Sequence, residues 1–301
     1  MTNIYSSFAL NWRSNDLPLS DLPKKIDNNY DINIVNESPD LWPHIASSIA
    51  DTNFLKVNEN DLRLEVNNIG LFRASNGNNI SWYKLFPQVD DKDIKTFLLG
   101  SMFGAILIQR GLLLMHGNAL EKDGKTIACL GFSGSGKSTL AYALLRNGWK
   151  FLTDDLVAID NDGFILTGIP RLKLWEDSLK AYGLKKEKLT SVRNNLNKFI
   201  YKPDDKSISK QKTKLTAFYL VNRFSTNENS SQVTIKRIID EKIKFLYLRN
   251  NLYRPRFVRG LKKEGKIFKK LVALQKTVPV SVLNLPNKVD SLIDSIKRVD
   301  L

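Results

Sequence analysis

The chain has 301 residues, 42% hydrophobic and 10% aromatic, which excludes a disordered polymer and supplies a core for one large domain or two modest ones. A single cysteine, Cys129, excludes any intramolecular disulfide and points to a reducing compartment; inside the apolar run Thr126–Leu130 it reads as an inert core residue. The formal net charge is +15, but residues 1–170 carry −4 and residues 171–301 carry +19. The basic half suits an anionic partner (acidic peptide, phosphorylated glycan, membrane surface), with nucleic acid least favoured because no nucleic-acid-binding motif accompanies the charge. A lysine-rich solvated surface is the plain alternative.

Residues 1–50 are polar with scattered apolar positions and no clear period. There is no basic leader followed by an apolar core, so no signal peptide is expected. Residues 54–86 read as β structure: Leu62–Val66 alternates, and Asn76-Gly77 marks a hairpin turn. Asp90 and Asp91 open a helix running to about Arg110, acids at its N-terminus as the helix dipole prefers. That helix holds the longest apolar stretch, Phe97–Ile108, too short to cross a bilayer; a cytoplasmic protein without a transmembrane segment is expected. His44, in Trp42-Pro43-His44, is given no role.

From Leu112 the pattern becomes strand, turn at Asp123-Gly124, strand, loop, helix from Lys137 to about Asn147, and a further strand ending at Asp154-Asp155. The loop Gly131-Phe132-Ser133-Gly134-Ser135-Gly136-Lys137-Ser138 fits G-x-x-x-x-G-K-[ST] between an apolar strand and a helix. Its glycines let backbone N–H groups turn inward on phosphate oxygens, with the helix N-terminus adding its positive end. Nucleotide binding therefore falls to Gly131, Ser133, Gly134, Ser135, Gly136, Lys137, Ser138 and Thr139, Lys137 reaching the β- and γ-phosphates and Ser138 ligating Mg²⁺. Asp154 and Asp155 supply the acids that such a site needs at the tip of a neighbouring strand, projecting in different directions so that one serves Mg²⁺ and the other faces an acceptor hydroxyl. ATP and Mg²⁺ are the expected cofactors.

Residues 184–215 are basic, Ser/Asn-rich and weakly patterned, and read as a mobile loop or lid. Strands are expected around Leu215–Phe224, Gln232–Ile239 and Pro279–Pro286, a helix before Tyr253, and a closing amphipathic helix in 289–299. The domain reading is an N-terminal β-rich module over 1–90 and an α/β core over 91–301.

His116-Gly117 stands 21 residues before Lys137, and Asp155 stands 18 residues after it. With the phosphate loop, these residues resemble the HPr kinase/phosphorylase superfamily, P-loop kinases related to the phosphoenolpyruvate carboxykinases that phosphorylate a protein serine. Gly168–Trp175 and Tyr253-Arg254-Pro255-Arg256 resemble its divergent HPr kinase-related branch, which includes kinases of lasso-peptide precursors. The resemblance is close over about 110–180 and loose elsewhere. It implies an α/β fold with a P-loop kinase core and ATP-dependent transfer to a hydroxyl of a peptide, protein, sugar or small alcohol. It implies Asp155 as general base, Asp154 as metal ligand, and His116 orienting Asp155 or neutralising phosphate charge. Arg171 and Lys173, and from the far side Arg254 and Arg256, would clamp phosphate or acceptor; surface charge over apolar neighbours is an equal alternative.

Two departures limit the resemblance. Thr139 stands where HPr kinases carry a Glu, and the motif supplying a metal-binding Glu is missing, Glu176 being a weak substitute. The HPr substrate and the reverse phosphorylase activity are therefore not carried over. Trp175 reads as core or pocket wall in preference to a base-stacking platform. The competing functional reading is a nucleotide-dependent regulatory or binding module without phosphotransfer, followed by a carboxykinase-like enzyme acting on a small acid.

Overall fold

The computed structural model describes residues 3–26, 28–47, 54–193, 196–223, 232–286 and 288–301. It is a mixed α/β chain that packs as two units, one of 1–114 with 253–269 and the other of 115–252 with 270–301. By packing, the helical stretch after Asp90 belongs with the N-terminal strands, so the boundary lies near 114 and not at 90. Among the described residues no helix is long and apolar enough to cross a membrane.

The first unit is built on an eight-stranded sheet of β1 (Ile4–Ser7), β2 (Leu10–Ser14), β3 (Lys24–Lys25), β4 (Ile32–Asn36), β5 (Leu55–Val57), β6 (Asp61–Val66), β7 (Gly70–Ser75) and β8 (Asn79–Lys84). Their order is β3-β1-β2-β4-β8-β7-β6-β5. Half of these strands fall in the region whose sequence showed no period. The β7–β8 turn has Asn76 and Gly77 both at positive φ, the geometry that an Asn-Gly hairpin requires. The Asp90 side chain caps the helix Asp91–Phe97 by accepting the Lys92 N–H, and a π-turn, Leu98–Met102, joins it to the helix Phe103–Gln109. Phe103 stacks on the fully buried Trp12 with ring centroids 3.7 Å apart, tying this helix to the sheet.

The second unit carries β9 (Leu113–Lys122), β10 (Lys125–Leu130), β11 (Lys150–Ile159), β12 (Phe164–Ile165), β13 (Leu172–Trp175), β14 (Thr190–Ser191), β15 (Lys198–Tyr201), β16 (Thr213–Lys214), β17 (Ala217–Arg223), β18 (Thr234–Arg237) and β19 (Val280–Leu285). Eight of them form one sheet, ordered β16-β12-β11-β9-β10-β17-β19-β18; the others form a small sheet, β13-β15-β14. β10, β17 and β19 run parallel, so their C-terminal ends share one edge of the sheet. The helix Lys137–Arg146 covers this sheet, burying Leu140, Tyr142 and Leu144 against Cys129, Ile127 and Leu283. Gly117 has a local reason: a Cβ there would lie 2.3 Å from the Cys129 carbonyl oxygen, so the close approach of β9 to β10 admits no side chain.

Two expectations are corrected. The 184–215 segment is not a patternless loop: β14, β15 and β16 fall within it, and β15 pairs with β13 from Leu172 to Trp175, with only residues 194 and 195 outside the description. β11 does not end at the aspartate pair but continues through it to Ile159.

Candidate functional site

The loop after β10 takes its shape from three glycines at positive φ, Gly131 (149°), Gly134 (85°) and Gly136 (97°). A Cβ on Gly131 would stand 2.9 Å from the Val221 carbonyl oxygen, and one on Gly136 would stand 2.9 Å from Leu285 Cδ1, so the loop is also held tightly against the ends of β17 and β19. Lys137 opens the following helix and is almost fully buried; its Nζ donates to the carbonyls of Gly131 (2.7 Å) and Phe132 (2.8 Å). Burial lowers its pKa, countered by Asp154 and Asp155.

A cleft of about 210 Å³ opens above this loop. Ser133, Gly134, Gly136, Lys137, Ser138 and Thr139 line its floor, while Gly131 and Ser135 lie outside the lining. Thr139 is engaged sideways, its hydroxyl 2.9 Å from that of Ser178.

His116, Asp154 and Asp155 face the same cleft from β9 and β11. Neighbours in a regular strand point to opposite faces, yet both aspartates reach the cleft because Asp155 adopts φ +65° and breaks the alternation. The expectation that a strand end would aim the two carboxylates apart is therefore replaced by a mid-strand kink that brings them together. Burial pushes the Asp154 carboxyl up, Asp155 adds to this by charge repulsion, and the Lys173 backbone N–H bonded to its Oδ2 at 3.0 Å opposes both. Burial also pushes Asp155 upward, but an ion pair with Lys173 and the nearby Lys198 outweigh it and hold this carboxyl below the usual range. His116 is lowered by burial first and Lys137 second, so it is neutral near pH 7, and it hydrogen-bonds the Asp155 backbone. It is thus built to brace the kinked residue.

Of the cationic candidates, Lys173 enters the site through Asp155. Arg171 is buried outside the cleft lining. Arg254 and Arg256 belong to the other packing unit, where the Arg254 guanidinium lies over the rings of Tyr253 and Phe257, the apolar-covering role weighed from the sequence. Glu176 pairs with Lys186 and Lys180 and does not line the cleft. Trp175 is a half-exposed wall of the cleft, as expected, with Lys198 Nζ 5.4 Å from its ring centre.

Four lining residues escaped the sequence reading: Asp177, Ser178, Lys198 and Arg223. Lys198 arrives because β15 pairs with β13, and Arg223 because β17 ends beside the loop, its Nε 3.3 Å from where a Gly136 Cβ would be. The only sequence signal was position: Arg223 closes an apolar strand, and Lys198 precedes the alternating Phe-Ile-Tyr.

No family model and no curated protein matches the chain. Among solved structures it is similar to the Hpr(Ser) kinase/phosphatase from Coxiella burnetii at 14% identity and a TM-score of 0.27, covering 62% of this chain and 93% of that one. A superposition of that quality assigns this chain neither an activity nor a fold family.

Proposed function

We propose that the chain is an ATP-dependent phosphotransferase of the HPr kinase-like type, moving the γ-phosphate to a hydroxyl acceptor, with a peptide or protein serine ahead of a sugar or small alcohol. One observation carries this reading: a glycine loop with its lysine shares a single cleft with His116, Asp154 and Asp155. Bare nucleotide binding needs the loop and the lysine but gives a kinked pair of carboxylates and a bracing histidine no task.

The triphosphate lies along the N–H groups of the loop, and Lys137 exchanges the carbonyls of Gly131 and Phe132 for β- and γ-phosphate oxygens. Arg223 and Lys198 neutralise charge on the transferred group from β17 and β15. Asp155 accepts a hydrogen bond from the acceptor hydroxyl and aligns it with the γ-phosphorus. As the oxygen–phosphorus bond forms, the bond to the β,γ-bridging oxygen breaks, ADP leaves, and the hydroxyl proton passes through Asp155 to solvent. A carboxylate held this far into its charged form is a weak base, so its main contribution is alignment, which suits a loose transition state.

Ser138 and Asp154 fit Mg²⁺: a hydroxyl and a buried carboxylate offer two oxygens, leaving the other positions to phosphate oxygens and water. Among the described residues no cluster of three or more His, Cys, Asp or Glu is arranged to hold a metal ion. When bound, Mg²⁺ would be held by Ser138 and Asp154 and would offset phosphate charge during transfer.

The test is labelling of acceptors in a cell extract with γ-phosphate-tagged ATP, comparing the wild type with Asp155→Asn. Labelling is expected from the wild type alone, with ATP·Mg²⁺ binding retained in the variant. Transfer that survives Asp155→Asn overturns the role given to Asp155. A wild type that binds ATP·Mg²⁺ and labels nothing favours the nucleotide-dependent regulatory module.

A further inference from the structure

β18 is the terminal strand of the large sheet in the second unit. All four of its residues, Thr234 to Arg237, are exposed. It pairs antiparallel with β19 from Thr234–Asn284 to Arg237–Ser281, and the Ile238 N–H continues the ladder onto the Val280 carbonyl. In an antiparallel pair the hydrogen-bonded positions alternate, so Lys236 and Thr234 bond to β19, while the N–H and C=O of Ile235 and Arg237 face away from it. Such an edge is a template for an added strand.

The chemistry beside this edge is basic and apolar. Ile235 lies on the strand, Ile239 just after it is 83% exposed, and the following helix Glu241–Asn250 leaves Ile243, Leu246 and Tyr247 exposed at i, i+3 and i+4 spacing. Lys236, Arg237, Lys242, Lys244 and Arg249 occupy the same stretch against Asp240 and Glu241, and none of the five makes an ion pair among the described residues. Asp240 is occupied as the helix cap, accepting the Ile243 N–H.

The position matters as much as the charge. β19 ends at Leu285, which touches the Gly136 position of the phosphate loop and is the register partner of Arg223. Because β18 runs antiparallel to β19, its Thr234 end lies on the sheet edge that carries the cleft. Asp155, which receives the acceptor hydroxyl, is on β11, so a strand added outside β18 would lie six strand spacings from it, about 29 Å. About nine extended residues cover that distance.

We propose that the open edge of β18 docks the polypeptide acceptor, an extended segment alternating acidic and apolar residues, with the hydroxyl residue about nine positions beyond the paired segment. This rests on the reading that the cleft phosphorylates a peptide or protein. A second copy of this chain fits the edge poorly, since antiparallel β18–β18 pairing brings Lys236 and Arg237 of each copy together in a protein of net charge +15. Nucleic acid fits poorly because phosphates gain nothing from an isoleucine-rich face.

The probe is a synthetic peptide with alternating Glu and Val, a linker of about nine residues and one serine; its counterpart has Lys in place of Glu. Binding is followed by fluorescence anisotropy without nucleotide, so that it does not depend on the transfer reaction. ATP·Mg²⁺ binding is measured in parallel and reports on the cleft alone. The acidic peptide is expected to bind and the basic one not, with affinity falling as salt rises. Lys236→Glu/Arg237→Glu should weaken binding at least about tenfold. Ile235→Pro removes an outward N–H without touching the β19 ladder and should abolish binding while melting like the wild type. If that variant fails to fold, the charge reversal decides. Equal binding of both peptides, or wild-type binding by both variants, overturns the proposal. So does sedimentation showing self-association that Ile235→Pro removes, or binding to anionic vesicles as tight as to the peptide. Loss of nucleotide binding with peptide binding intact overturns the kinase reading and leaves the docking edge standing.

Discussion

The Lys173 ammonium pairs with the carboxylate of the cleft residue Asp155, both side chains mostly covered, on β13 and β11 respectively. It fixes both the charge state and the orientation of the carboxylate assigned to the acceptor.

Removing that partner with Lys173→Met should move Asp155 back toward the ordinary carboxylate range. A carboxyl depressed in the folded state adds stability that is present above its unfolded value and lost as pH falls through its lower folded value. The variant should therefore be less stable at neutral pH, by about 2–3 kcal/mol since Lys198 still faces Asp155, and should lose less further stability on acidification. The acid limb of its transfer rate should move to higher pH. Denaturant unfolding at neutral and acid pH, with a pH–rate profile, checks both.

Asp154 gives the opposite sign. Its carboxyl is raised to about 6 by burial and by Asp155, so its contribution is present below its unfolded value and lost as pH rises through about 6. Without nucleotide or metal at pH 7, Asp154→Asn should be more stable than the wild type, by about 1–2 kcal/mol. It should also abolish the Mg²⁺ dependence of nucleotide binding. Thermal melts with ATP alone and with ATP·Mg²⁺ test this: the extra stabilisation that Mg²⁺ adds to that of ATP should disappear in the variant.

Gly117→Ala should be among the most damaging single methyl additions. Its Cβ meets the Cys129 carbonyl oxygen at 2.3 Å, and backbone cannot swing aside as a side-chain tip does. A loss of about 3 kcal/mol is expected, in the upper range of overpacking effects, read as a lower denaturation midpoint. The same change at Gly124, where nothing lies within 4 Å but φ is +79°, should cost only about 1 kcal/mol of backbone strain.

What the sequence made legible follows from locality. The glycine loop is contiguous, and His116 and Asp155 lie within about twenty residues of Lys137 on strands that border it, so pattern and spacing found them. Lys198 and Arg223 are 61 and 86 residues from Lys137 and enter through strand pairing, which leaves no trace in local periodicity. The β character of the first 36 residues was hidden because β3 is two exposed lysines and β1 carries Ser6 and Ser7 beside Ile4 and Tyr5. The Asp154-Asp155 kink depends on a positive φ that no Asp-Asp dipeptide announces. Arg254 and Arg256 were grouped with the site by a short motif, and packing put them in the other unit.

Cys129 should be chemically silent in the native protein. Burial pushes its thiol up to about 12, so almost no thiolate exists at pH 8 and the sulfur is covered by the helix Lys137–Arg146. Reaction with an aromatic disulfide reagent should proceed only at the rate of unfolding and accelerate in denaturant, one thiol per chain. Rapid modification under native conditions would contradict the packing of β10 against this helix.

Asn118 should be replaceable with a gain in stability. It is fully buried on β9 opposite Cys129, and neither its amide nitrogen nor its oxygen has a hydrogen-bond partner among the described residues. A buried amide left unpaired costs about 1–3 kcal/mol, whereas an apolar group of similar shape carries no such penalty. Asn118→Leu is therefore expected to raise stability by about 1–2 kcal/mol in denaturant melts where the space around the side chain takes the extra bulk. Asn118→Val, smaller and suited to a strand, separates the two effects: a gain with Val and a loss with Leu would mean that the space, not the polarity, is limiting. A loss of stability with both would show that the amide holds a partner, such as ordered water, worth more than its burial costs.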